Sequence, residues 1–103
     1  MSDHYSALEH AARHANRWLG SLGTRPVPAT ATATEIAGKL GTELPDGPTP
    51  VTAVIDLLAS ACDPGLTAMP SGRFYGMVTG GTHPAALAAD WLVSAWDQNA
   101  VLR

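Results

Sequence analysis

The chain is short of the residues from which most catalytic and binding centres are built. One cysteine, Cys62, excludes an internal disulfide, and its place at the apolar end of a helical pattern reads as a small buried residue rather than a reactive thiol. Lys39 is the only lysine. It lies in a weak, glycine-containing helical segment and reads as a surface residue. The six basic residues are scattered and the net charge is -3, so there is no electrostatic footprint for a phosphate backbone and nucleic acid is excluded as a partner. Long hydrophobic runs are missing too: no stretch approaches the roughly 20 apolar residues of a membrane span. Met1-Ser-Asp-His4 carries neither the basic nor the apolar region of a secretory leader. These absences point to a cytoplasmic protein. With 103 residues the chain is one domain at most, and a free-standing domain of that size buries roughly two-thirds of its unfolded surface.

What is present is mainly helical patterning. Ser6-Ala-Leu-Glu9 has the form of a capping box and predicts a helix from there to Gly20 or Gly23, with Leu8, Ala11, Ala15, Trp18 and Leu22 on one apolar stripe. His10 and His14 fall one turn apart on it. Glu9-His10-x-x-x-His14 is not the zinc-protease order, in which the Glu lies between the two His, and no third ligand is near. The two read as solvated or interfacial imidazoles, with no metal. Thr24 to Thr34 is a linker of Pro, Ala and Thr. Thr32-Ala-Thr-Glu35 is a second capping box that opens a short helix ended by Gly41. After the turn cluster Leu44–Pro50, Thr49-Pro50 reads as the N-cap and first residue of a third helix. Its apolar face is Val51, Val54, Ile55, Leu58 and Cys62, and Asp63-Pro64-Gly65 ends it.

The last third organises the rest. Phe74 to Val78 is aromatic and β-branched and predicts a short extended run, Gly80-Gly81 a turn, and Thr82 the cap of a long helix with Pro84 in its first turn. Leu87, Trp91 and Ala95 adjoin a second row, Ala88, Leu92 and Trp96, so that helix expects burial on most sides. Asp90, Ser94 and Asp97 form its polar row. No Gly or Asn stands at Arg103 to turn the last carbonyls aside, so the helix is expected to run to a bare end, as though cut from a longer protein. Gly80-Gly81-Thr82 could hold an anion on free N–H groups, although a plain capping turn is the commoner use of such residues.

Phe74-Tyr-Gly-Met-Val-Thr-Gly-Gly-Thr82, followed by Pro84-Ala-Ala-Leu-Ala-Ala-Asp-Trp-Leu92 and Trp96-Asp-Gln-Asn-Ala100, resembles the N-terminal region of the group II pyridoxal-phosphate-dependent amino-acid decarboxylases. Aromatic-L-amino-acid and glutamate decarboxylases are the best-known members. The strong part of the resemblance covers Met69 to Arg103; helix order and Pro positions carry a looser one over the remainder. It implies the N-terminal segment of an α/β fold type I enzyme, with residues 1–68 a helical dimerisation segment and 69–103 an extended segment and long helix entering a large cofactor domain downstream. It implies a homodimer acting on a small amino acid, with pyridoxal phosphate held by a lysine beyond this chain, which alone is then inactive. Met77, Val78 and Thr79 match the wall on the substrate side of the cofactor, and Asn99 and Val101 match a contribution to the neighbouring subunit's pocket. No catalytic residue falls within the chain, since neither Asp90 nor Asp97 matches the family's cofactor-contacting acid. Aromatic decarboxylases carry a bulky aromatic and a Pro before the Thr where this chain has Met77 and Val78, and an apolar residue in place of Asn99, which leaves the substrate open. Two alternatives stand beside this one: the same fold with aldehyde-forming, aminotransfer or lyase chemistry, and a self-contained helical interaction domain.

Overall fold

Nothing between Ser2 and Gly20 breaks a helix, and Asp3 in the first turn suits the positive end of the dipole, so α1 spans the whole of Ser2–Gly20. The helix thus begins a turn earlier than the Ser6 box predicts, and Ser6 and Glu9 lie inside it. The structure, a computed structural model, describes residues 2–77 and 80–101, with Ser2 and His4 as backbone alone. It is mainly helical: α2 is Ala33–Leu40, α3 Val51–Cys62 and α4 Pro84–Trp96, with a single 3-10 turn, Asp63–Gly65, closing α3. Among the described residues there is no strand, and no helix is long and apolar enough to cross a membrane.

The second capping box forms as predicted. Glu35 N donates to Thr32 Oγ1 at 3.1 Å, and Thr32 N donates to Glu35 Oε1 at 3.0 Å. Gly41, at φ 82°, ends α2 where an L side chain would be strained. The start of α3 is displaced by one residue. Pro50 has ψ 137° and is itself the N-cap, so Val51 is the first helical residue and no side chain caps it. In α4 the cap is His83 rather than Thr82. A residue before proline is driven out of the helical region, and His83, at ψ 137°, uses its Nδ1 to accept from Ala85 N at 3.1 Å. The far end of α4 is not bare either: Asp97 turns left-handed at φ 48° and its N–H reaches Val93 O, while Gln98 Nε2 donates to Trp96 O. Aspartate is one of the few non-glycine residues that visit this region readily.

The described part of the predicted extended run, residues 74–77, is a loop, and Val78 lies outside the described residues. Phe74 N bonds back to Ser71 O, and Met77 has φ 54°. Aromatic and β-branched residues favour a strand only when another strand pairs with them, and none does so here.

α3 is the hub, with α1 packed along it and α2 against it. The linker is pinned rather than free: Thr30 N and Ala31 N both donate to Pro64 O, and Ala68 N donates to Val27 O. At the centre of this pinning lie the only fully buried apolar residues among those described, Ala61 and Ala68. Among the described residues no large side chain is sealed from water. The radius of gyration is 16.2 Å, against about 13 Å for a compact domain near this length. α4 shares none of the close packing that joins α1, α2 and α3, and instead of being buried on most sides it leaves Leu92, Val93 and Trp96 exposed.

Candidate functional site

Three side-chain arrangements tie the elements together, and none includes a residue that sequence reasoning assigned to the substrate pocket. The first joins α1 to α3. His10 Nδ1 and His14 Nε2 lie 2.8 and 2.7 Å from the same oxygen, Asp56 Oδ1. An ionised carboxylate only accepts, so His10 carries a proton on Nδ1 and His14 carries one on Nε2. The two imidazoles are interfacial, as one of the sequence readings has it, and their partner comes from a residue 42 and 46 positions away. Among the described residues no group of His, Cys, Asp and Glu is arranged to hold a metal ion.

The hydrogen bonds from His10 and then His14 hold the Asp56 carboxyl below its ordinary value of 3.8. A lowered carboxyl stabilises the fold above its unfolded value, and this contribution disappears as the pH falls through the folded one. Asp56→Asn is therefore expected to unfold more readily than the wild type at neutral pH, with the gap closing as the pH is taken below 3.8. Urea titrations of both proteins across that range check this, and a gap that does not change with pH contradicts it.

The second arrangement surrounds a groove of about 760 Å3 between the end of α1, the linker and the end of α3. Trp18 forms part of its wall, with the Arg25 guanidinium carbon 5.4 Å from the ring centroid. Arg25 also grips the 3-10 turn: Nη1 donates to Asp63 Oδ1 at 3.0 Å and Nη2 to Asp63 O at 2.9 Å. Its charge is matched by Asp63, so the groove offers no unpaired Arg25 to an anion. Trp18 Nε1 and Arg25 Nε are buried without a hydrogen-bond partner among the described residues.

The third is Arg73, whose Nη2 donates to two backbone carbonyls just beyond α1, Leu22 O at 2.8 Å and Arg25 O.

The residues predicted from the resemblance lie elsewhere. Met77 sits in the loop before α4 and is 83% exposed. Val78 and Thr79 lie outside the described residues. Asn99 and Val101 follow α4, where Asn99 Oδ1 accepts from Val101 N at 2.8 Å in a local turn. The pocket-wall loop and the Asn99 turn are thus separated by a helix of 13 residues, about 20 Å long, and none of Met77, Asn99 and Val101 lines the groove.

Lys39 is exposed in the last turn of α2, where it faces Glu35 and helps to lower that carboxyl, the larger cause being the Thr32 backbone bond. Among the described residues its side chain is exposed, which does not fit a cofactor-holding amine sheltered from water. The start of α4 is capped by His83, so Thr82 does not serve as the cap expected of Gly80-Gly81-Thr82. Cys62 is free and half-buried. Asp56, Arg25, Asp63 and Arg73 were not singled out by sequence. Their partners are distant carbonyls, carboxylates and imidazoles that no local spacing reveals.

Comparison with known proteins returns no match to any family model, curated protein or solved structure.

Proposed function

We propose that this chain is the N-terminal part of a cytoplasmic pyridoxal-phosphate-dependent L-amino-acid decarboxylase, a carboxy-lyase of the fold type I class acting as a homodimer. It supplies dimer contacts and part of the substrate-pocket wall, and no catalytic amine. The observation that carries this reading is the order at residues 74–96: a loop bearing Met77, a glycine turn with Gly81 at φ 88°, then a helix beginning at Pro84 that bears Ala-Ala-Asp-Trp-Leu. The glycine turn and the helix are what the resemblance implies for its strongest segment, whereas residues 74–77 form a loop and not the extended run expected before them.

The uncovered apolar surface supports the reading that the chain belongs to a larger body. Trp96 is 61% exposed, Leu92 and Val93 lie beside it, and Val54, Leu57 and Leu58 are open on α3. Clustered apolar side chains of this kind mark surfaces that something else covers. Among the described residues no large side chain is sealed in a core, which supports the same reading.

When bound, pyridoxal phosphate would act as an electron sink for the substrate. The residues present here do not fit that group, so its lysine and phosphate contacts are assigned to the polypeptide downstream of Arg103. What this chain contributes is shape. Met77, Val78 and Thr79 line the space in which the amino acid is oriented, and Asn99 and Val101 close the neighbouring subunit's pocket.

The test is to purify the natural-length protein with the cofactor and measure carbon dioxide release from a panel of L-amino acids. Release from at least one is expected. Aldehyde formation or amino transfer without a simple decarboxylated amine would transfer the fold to another chemistry, and inertness towards every amino acid would end the reading.

A further inference from the structure

The loop between α3 and α4 closes on itself. A side chain at Gly81 would stand 3.0 Å from Pro70 Cβ and 3.1 Å from Pro70 Cα, so the backbone of Gly81 lies directly against Pro70. Pro70 and Gly81 are therefore held at one place. Ser71 is buried at the root, where its Oγ accepts from Arg73 N at 3.1 Å and its carbonyl accepts from Phe74 N. Met77, further along the loop, holds φ 54°, a conformation that costs a non-glycine residue free energy and persists only where the surroundings impose it.

The loop's one side-chain link to the helical body among the hydrogen bonds described is Arg73, on the carbonyls of Leu22 and Arg25. Those carbonyls are themselves fixed. Arg25 N bonds to Ser21 O at 2.8 Å, and the Arg25 side chain is locked on Asp63 at the end of α3. Residues 71–77, which have no helix or strand and carry a strained residue, are thus fastened by a charged donor to the junction of α1 and α3. Charge-assisted bonds to two carbonyls fix both direction and distance.

We propose that Arg73 is a positioning residue for the reaction, holding residues 70–77, and with them Met77 of the pocket wall, in register with the α1–α3 pair. This rests on the decarboxylase reading for the reaction itself, but the anchoring does not. The role is donation rather than packing. One guanidinium nitrogen serves both carbonyls, so a lysine ammonium can replace it in part and a methionine of similar length cannot.

Two measurements separate the claims. Hydrogen exchange on the natural-length protein, read at the Phe74 amide, is expected to quicken about tenfold in Arg73→Met, to recover partly in Arg73→Lys, and to stay unchanged in α2. In the natural-length protein, Arg73→Met is expected to lower kcat/KM for the best amino acid about tenfold at unchanged cofactor content, with Arg73→Lys partly restoring it. Equal Phe74 exchange in wild type and Arg73→Met would overturn the anchoring. Faster exchange with unaltered kinetics would overturn the positioning role. A wild-type protein inert towards amino acids would remove the decarboxylase reading and leave the anchoring to be decided by exchange alone.

Discussion

Trp18→Ala is expected to destabilise the protein by about 3 kcal/mol, the lower end of what large-to-small aromatic truncations cost. Trp18 is half-buried, which keeps the loss from the upper end of that range. Its ring also seats Arg25, and Arg25 links the end of α1 to Asp63 below α3. Truncation therefore removes apolar area and loosens the support of an ion pair at once. Trp18→Phe keeps most of the ring face and gives up an Nε1 that has no partner among the described residues, so it should cost only a fraction of the alanine change. Denaturant midpoints and slopes for the three proteins check both statements. An alanine variant within about 0.5 kcal/mol of wild type would show that Trp18 behaves as an ordinary surface residue.

The second large effect is on turnover. In the natural-length enzyme, Thr79→Val should leave fold and cofactor content intact and lower kcat about tenfold or more, as loss of a positioning contact does. Valine keeps the shape of threonine and removes the hydroxyl, so the substitution isolates a polar contact from packing. Thr79 itself lies outside the described residues. The expectation comes from the resemblance, which matches Thr79 to the wall on the substrate side of the cofactor. Unchanged kcat and KM on the best substrate would make Thr79 a structural residue.

What could be read from sequence was local. Thr32 and Glu35 form their box because both bonds close within four residues, and Gly41 ends α2 because that turn needs a positive φ. The same local signals misplace a boundary wherever a competing local effect is stronger. Pro84 displaced the cap from Thr82 to His83, an unbroken run of helix formers carried α1 past Ser6, and Asp97 supplied a left-handed end where only Gly or Asn was considered. The long-range links were not legible. Asp56 reads as a lone acid on an apolar helix until α1 brings His10 and His14 to it, and Arg25 and Arg73 read as scattered charge until their partners, mostly backbone carbonyls, are placed. A backbone carbonyl has no sequence signature. The pocket wall could be proposed from sequence because its residues follow one another in the chain, whereas the anchor that holds it spans 48 and 51 positions.

The measurement that bears most directly on the central claim is reductive labelling of the natural-length protein. Borohydride reduction in the presence of pyridoxal phosphate, followed by peptide mapping, is expected to place the cofactor on one lysine beyond Arg103 and none on Lys39, which stands exposed on α2. Stoichiometric labelling of Lys39, or no site-specific labelling anywhere in the natural-length protein, would contradict the account.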